Sequence, residues 1–271
     1  MPTRPPRLIA TDLDGTLLRR DGTVSPRTLR ALRTAVAAGA DVVVVTARPP
    51  RHVDAIAART GLGGSAICSN GALVYDLGSR RVVRSRPLTV SAARAVATAL
   101  AGAVPGIGFA VEAGLVVHYE PSYRIRHSPG GEAERAVPRL ADLWTLDSPI
   151  VKLLAHSAEH EAEFLLALAR RDAAGHAHFT HSGGRGLLEI SAPGVTKADT
   201  LAALCASRGL TAEDVVAFGD MPNDLAVLRW AGSGYAMANA HPSVRAAVRH
   251  HTVSNEEDGV AVVLERLFRD R

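Results

Sequence analysis

Apolar positions along this chain come first in short continuous runs. Leu8-Ile9-Ala10-Thr11-Asp12-Leu13 predicts a buried strand, broken at Gly15. Ser25-Pro26 reads as an N-cap followed by proline at the first helical position, and the helix runs through Leu29, Leu32 and Val36 to a stop at Gly39. Asp41-Val42-Val43-Val44-Val45-Thr46 is a β-branched strand. A helix over residues 50–60 and a third strand at Ala66-Ile67-Cys68-Ser69 follow. Strands that are apolar throughout, alternating with helices, predict a parallel sheet covered on both faces.

The rhythm changes near residue 80. After a small hairpin strand at Ala72–Tyr75, Arg81-Val82-Val83 and Leu88 lead into a helix over 91–101, then strands at 107–111 and 115–119. Residues 121–148 are loop-rich, with a short helix expected around 132–142. A strand at 150–155, a helix at 159–170, and strands at 176–180 and 187–190 joined by a Gly183-Gly184 turn complete the stretch. Adjacent strands with packed helices predict an α+β unit with an antiparallel sheet. From Lys197 the alternating pattern resumes: a helix over 196–208, a strand at 215–218, a helix over 223–229, short strands at 235–237 and 251–253, and a helical tail over 260–268. The chain therefore reads as an α/β domain interrupted by an inserted α+β domain.

Composition narrows the partners. With 47% hydrophobic residues there is ample core material, and at 4% aromatics that core is aliphatic. No window supplies the roughly 18 apolar residues that would span a bilayer, and the run after the basic N-terminus is too short for a signal peptide. The net charge of +4 comes with scattered arginines and no interleaved aromatics, so neither nucleic acid nor a membrane is the expected partner. Two cysteines, Cys68 and Cys205, have no metal-site spacing and read as buried thiols of a cytoplasmic protein. Nothing in the sequence specifies an oligomeric state.

In an open α/β sheet, ligands bind beyond the carboxyl ends of the strands. Here those ends carry Asp12-Leu13-Asp14-Gly15-Thr16, Thr46-Ala47-Arg48, Ser69-Asn70-Gly71 and Gly219-Asp220 with Asn223 and Asp224, while Lys197 opens a helix at the domain junction. Mg²⁺ with a phosphate ester would employ such a set. Mg²⁺ takes one or two carboxylates plus substrate oxygens, which Asp12 and Asp220 could offer. Lys197 and the Thr46 hydroxyl could hold the remaining phosphate oxygens. Two aspartates two residues apart can divide the labour between nucleophile and general acid–base.

Taken in order, these motifs resemble the four motifs of the haloacid dehalogenase superfamily: Asp12–Thr16, Thr46, Lys197 and Gly219–Asp224. The C-terminal stretches Ala236–Ala240 and Asn255–Ala261 are similar to its Cof-type subfamily, which carries a large cap between the second and third motifs. The resemblance implies an α/β fold: a Rossmann-like parallel-sheet core of residues 1–82 and 191–271, and an inserted α+β cap of the C2B type over residues 83–190. It implies Asp12 as nucleophile and Mg²⁺ ligand, Asp14 as general acid–base with a main-chain contact to the metal, and Asp220 as a further ligand. Asp224 would hold the metal's water shell or orient Lys197. Leu13 and Ala47 through their backbones, with Thr46, Lys197 and Asn223, would bind phosphate. Ala47 stands where the family often has glycine, which keeps the N–H donor. Asn70 would meet the substrate, a small phosphorylated metabolite, at the domain interface.

Other readings compete with hydrolysis. The same aspartyl-phosphate could pass to a second alcohol, as in a phosphomutase or phosphotransferase. A non-enzymatic phospho-accepting module also uses Asp, Thr and Lys, but it is shorter and carries its acceptor on a middle strand. An Asp-x-Asp glycosyltransferase would leave Lys197 and the second Asp cluster unexplained. The histidines offer no rival metal site: His176 and His178 share a strand face that His181 does not, and His156 and His160 straddle a strand–helix boundary.

Overall fold

The computed structural model describes residues 5–125, 133–182 and 186–269. The chain begins β1 (Leu8–Thr11), α1 (Pro26–Ala37), β2 (Asp41–Val45), α2 (Pro50–Thr60), β3 (Ser65–Cys68), β4 (Leu73–Asp76), β5 (Arg81–Ser85). It continues α3 (Val90–Ala103), β6 (Gly108–Glu112), β7 (Val117–Tyr119), β8 (Glu134–Ala136), β9 (Lys152–His156), α4 (Ala162–Asp172), β10 (His178–Thr180), β11 (Leu187–Ser191). It closes with α5 (Lys197–Ser207), β12 (Val215–Gly219), α6 (Leu225–Trp230), β13 (Ser233–Ala236), α7 (Pro242–Ala247), β14 (His250–His251), α8 (Gly259–Leu267).

Two sheets result. The larger runs β14-β13-β12-β1-β2-β3-β4-β5, parallel from β14 to β3 and antiparallel through β4 and β5. Its central strands are buried, apart from Asp41 at the start of β2, as a sheet covered by helices on both faces requires. The smaller runs β10-β11-β9-β6-β7-β8, antiparallel except for the β7–β8 pair. Ser85 is the last residue paired in the larger sheet before the chain crosses, and Ser191 the last paired in the smaller one before it returns.

Local signals acted as their chemistry dictates. The Ser25 side chain accepts from the Thr28 N–H with Pro26 at the start of α1, satisfying a donor that the first helical turn leaves unpaired. The helix expected around 132–142 is absent where the chain is described: β8 and a single 3₁₀ turn at Leu140–Trp144 stand there. Pro138 explains this, because it lacks an N–H and steers Val137 away from helical geometry. Helix α4 starts at Ala162 rather than 159, since Ser157 folds the preceding residues into a turn, accepting from the Glu159 N–H at 3.3 Å and meeting His160 Nδ1 at 3.1 Å. Helix α7 was not anticipated. The Gly183-Gly184 turn lies outside the described residues.

Period-two alternation sorts the smaller sheet into two faces. Phe109, Val111, Leu153, Ala155, Leu188 and Ile190 pack in one cluster with Val96, Leu100, Leu165 and Ala169 of α3 and α4. Their alternates, including Glu112, Lys152, Leu154, Leu187 and Glu189, take the opposite face, and all five line the cleft described next. Among the described residues no helix is long and apolar enough to cross a membrane. Cys68 and Cys205 are both free and buried.

Candidate active site

The loops leaving the carboxyl ends of β1, β2, β3 and β12 meet at one edge of the larger sheet. Parallel pairing of β1 with β12 sets Thr11 opposite Phe218, so Asp12, the next residue, and Asp220, two beyond Phe218, leave the same end of adjacent strands. Asp12, Asp220, Asp224 and Lys197 are 6%, 6%, 2% and 2% exposed. Lys197 Nζ donates to Asp12 Oδ1 at 2.8 Å and to Asp224 Oδ1 at 2.6 Å. Asp224 Oδ2 accepts from the backbone N–H groups of Asp220 and Met221 at 3.1 and 3.0 Å, which fixes the turn after β12. Thr16 Oγ1 donates to Asp220 Oδ1 at 2.6 Å. Gly15, at φ +73°, lies so close to Asp220 that a Cβ there would sit 2.4 Å from Oδ2.

Three carboxylates surround one ammonium. Burial pushes the Asp12 carboxyl well above its ordinary value, against the pull of Lys197 and with reinforcement from Asp224 and Asp220. Burial likewise pushes Asp220 up to about 7, in spite of the Thr16 hydrogen bond. For Lys197, burial opposes the charge, but Asp12 and Asp224 outweigh it and hold the ammonium above its ordinary range. Were all three carboxyls ionised, one lysine would not neutralise them. One ligand atom each from Asp12, Asp220 and Asp224 lies within 4.8 Å of the others, so this hard oxygen set fits a metal cation.

The third loop is conformationally costly. Ser69, Asn70 and Gly71 all have positive φ (52°, 56° and 98°), the left-handed region that a non-glycine residue enters at a cost. The Ser69 N–H donates to the Arg48 carbonyl at 3.0 Å and the Asn70 N–H to the Thr46 carbonyl at 3.1 Å, so this turn supports the loop after β2. Gly71 abuts the start of α5: its carbonyl accepts from Thr200 Oγ1 at 2.7 Å, and a Cβ would fall 2.2 Å from the Thr196 carbonyl oxygen. Gly71→Ala is therefore expected to destabilise the protein by about 2–4 kcal/mol and to shift Lys197, read by urea unfolding and turnover together. Wild-type stability in that variant would show that the turn relaxes freely.

A cleft of about 420 Å³ opens above the cluster, lined from the larger sheet by Asp12, Asp14, Thr46, Ala47, Lys197 and Asn223, and by the smaller sheet's charged face. Of the residues expected at the site, Leu13 has its side chain wholly buried, leaving only its main chain to reach a ligand. Asn70 and Asn223 meet each other: Asn223 Nδ2 donates to Asn70 Oδ1 at 3.1 Å, while Asn223 Oδ1 is buried without a hydrogen-bond partner. Asp14 stands apart from the cluster, at the rim, with both oxygens held by Arg48 at 2.6 and 2.7 Å.

Sequence reasoning missed Arg51, Glu112, Lys152, Ser182 and Glu189, and left Arg48 without a role. A signal existed for three of them. Glu112, Lys152 and Glu189 are charges set within or at the end of otherwise apolar strands, where an unpaired charge would be too costly to keep.

A family profile described as haloacid dehalogenase-like hydrolase matches residues 9–264. The chain belongs to the haloacid dehalogenase-like hydrolases, and its two-sheet architecture agrees with the Cof-type resemblance. It is 30% identical, over 97% of its length and 98% of the relative's, to 5-amino-6-(5-phospho-D-ribitylamino)uracil phosphatase YitU of Bacillus subtilis (strain 168). It is also 30% identical, over 94% and 96%, to pyridoxal phosphate phosphatase YbhA of Escherichia coli (strain K12). A solved haloacid dehalogenase-like hydrolase from B. subtilis superimposes with a TM-score of 0.83 at 25% identity, covering 96% of this chain and 99% of that one.

Proposed function

We propose that this protein is a Mg²⁺-dependent phosphatase of the cytoplasm that hydrolyses a small phosphorylated metabolite through an aspartyl-phosphate on Asp12. The observation that carries this reading is the buried set of Asp12, Asp220, Asp224 and Lys197 beneath a small covered cleft. The larger sheet's unit, expected over residues 1–82 and 191–271, acts as the catalytic core, and the smaller sheet's unit, expected over 83–190, as the C2B-type cap that roofs the cleft and selects the substrate; pairing carries the core strand on to Ser85 and the cap strand to Ser191.

Asp12, Asp220 and the main chain of Asp14 would hold Mg²⁺. When bound, the metal offsets the charge of both the phosphate and the carboxylates. Asp224, with one oxygen on Lys197 and the other on two backbone N–H groups, serves best as the group that orients the lysine. Lys197, the Thr46 hydroxyl, the main chain of Leu13 and Ala47, and Asn223 bind phosphate oxygens; Asn223 Nδ2 gives one N–H to Asn70 Oδ1 and has a second to donate to a ligand. An Asp12 oxygen attacks phosphorus as the bond to the leaving oxygen breaks. Asp14, released on one side by Arg48, gives that oxygen its proton. Asp14 then takes a proton from water, the water oxygen attacks phosphorus, and the bond to Asp12 breaks to return the carboxylate and orthophosphate.

A cleft of about 420 Å³ suits a sugar phosphate or a phosphorylated cofactor or precursor, as do the names of the two relatives. The test is phosphate release from a panel of sugar, nucleotide and vitamin phosphates, in Mg²⁺ and in EDTA. Release in Mg²⁺ that EDTA abolishes is the expected result. A product in which the phosphoryl group sits on a second alcohol would replace hydrolysis by transfer.

A further inference from the structure

The cleft-facing side of the smaller sheet carries three buried charges, and each is tied across to the larger sheet. Arg51 of α2 donates from Nη1 and Nη2 to Glu112 at 2.6 and 2.9 Å. Glu189 accepts from Ser182 at 2.7 Å and from Asn70 Nδ2, linking it onward to Asn223. Lys152, 4% exposed, lies 3.5 Å from Glu189 and donates to the Ala47 carbonyl at 3.0 Å.

That last bond acts on the phosphate loop. The Ala47 carbonyl and the Arg48 N–H belong to one planar trans peptide and point in opposite directions. The Arg48 N–H donates to Thr46 Oγ1 at 3.1 Å. A hydroxyl has one proton to donate, so a Thr46 oxygen that accepts here keeps its proton for a phosphate oxygen. Tilting the 47–48 peptide would remove that restraint. The turn after β3 already supports the loop through the Thr46 and Arg48 carbonyls, and Lys152 adds a hold from the opposite side of the cleft.

We propose that Lys152 is a positioning residue for phosphoryl transfer: seated by Glu189, it fixes the 47–48 peptide through the Ala47 carbonyl and so aims the Thr46 hydroxyl at the substrate phosphate only while the smaller sheet covers the cleft. This rests on the phosphatase reading. Because the effect reaches the phosphate and not the leaving group, it is the same for every substrate. A lysine that instead touched the leaving group would act on some substrates and spare others.

The test compares wild type, Lys152→Met, Lys152→Arg and the Lys152→Met/Glu189→Gln pair, in Mg²⁺, with p-nitrophenyl phosphate and with the best metabolite of the panel. Orthophosphate binding is measured alongside by calorimetry. The pair carries the test if Lys152→Met, which strands the Glu189 charge, fails to fold. Lys152→Met, or the pair, is expected to lower kcat/KM by about 10–100-fold, by the same factor for both substrates. Orthophosphate binding should weaken, the unfolding midpoint of the pair should stay close to wild type, and Lys152→Arg should recover most of the rate. An unchanged kcat/KM, or a loss confined to the metabolite, overturns the positioning role alone. A wild type that neither releases phosphate nor binds orthophosphate overturns the phosphatase reading, and this role with it.

Discussion

Replacing Asp12 by Asn is expected to lower turnover on the order of 10⁵-fold or more, equivalent to about 7 kcal/mol of barrier, while the fold survives. The amide keeps the shape of the carboxylate but has no anionic oxygen to attack phosphorus. Its effect on stability should run the other way. Burial already disfavours the charge on Asp12, and Lys197 keeps Asp224 as a partner, so a neutral side chain relieves repulsion with Asp224 and Asp220. In EDTA the variant should unfold at a temperature no lower than wild type. Turnover within tenfold of wild type in Asp12→Asn would remove Asp12 as the nucleophile.

The second large effect is on stability, and its sign depends on metal and pH. Asp220 has its ordinary value of 3.8 in the unfolded chain and about 7 in the metal-free fold, raised first by burial. Between those values the folded protein holds a proton that the unfolded chain has released, so stability is lost as pH rises from about 4 to 7. The interval corresponds to at most about 4 kcal/mol for Asp220, and Asp12 acts in the same direction. In EDTA the unfolding midpoint is expected to fall by roughly 5 °C or more between pH 5 and pH 8. Adding Mg²⁺ at pH 8 should restore it, because a cation favours the charged carboxylates and binds only the folded state. Asp220→Asn should flatten the pH dependence. A midpoint that rises with pH in EDTA would show that the two carboxyls are not raised in the fold, and one that ignores Mg²⁺ at pH 8 would show that the cluster is not the metal site.

Much of this molecule is readable one residue at a time. The β-branched run Asp41–Val45 has no stable place except inside a covered sheet, and Ser25-Pro26 and the glycine punctuation set the start and stop of α1. The polar set was legible because Asp12, Thr46, Asn70 and Asp220 stand at or one residue beyond the ends of short apolar runs, and Lys197 opens a helix. Where the reading of helices failed, the cause was local. Pro138 broke an expected helix, and Ser157 delayed α4 by three residues.

The sequence by itself determined the two kinds of sheet, most of the elements in their order and the residues at the site's floor, because hydrophobic period, capping and turn chemistry act over a few neighbouring positions. Only the tertiary structure decided the roof and the electrostatics. Whether Glu112, Lys152 and Glu189 are surface charges or buried partners of Arg51, Ala47 and Asn70 depends on how one sheet seats over the other, and those partners lie many tens of residues away in the chain. The same holds for Asp14, which Arg48 holds at the rim, and for the raised carboxyls of Asp12 and Asp220. A charge takes its energy from everything packed around it, and that packing is a property of the folded chain rather than of any segment.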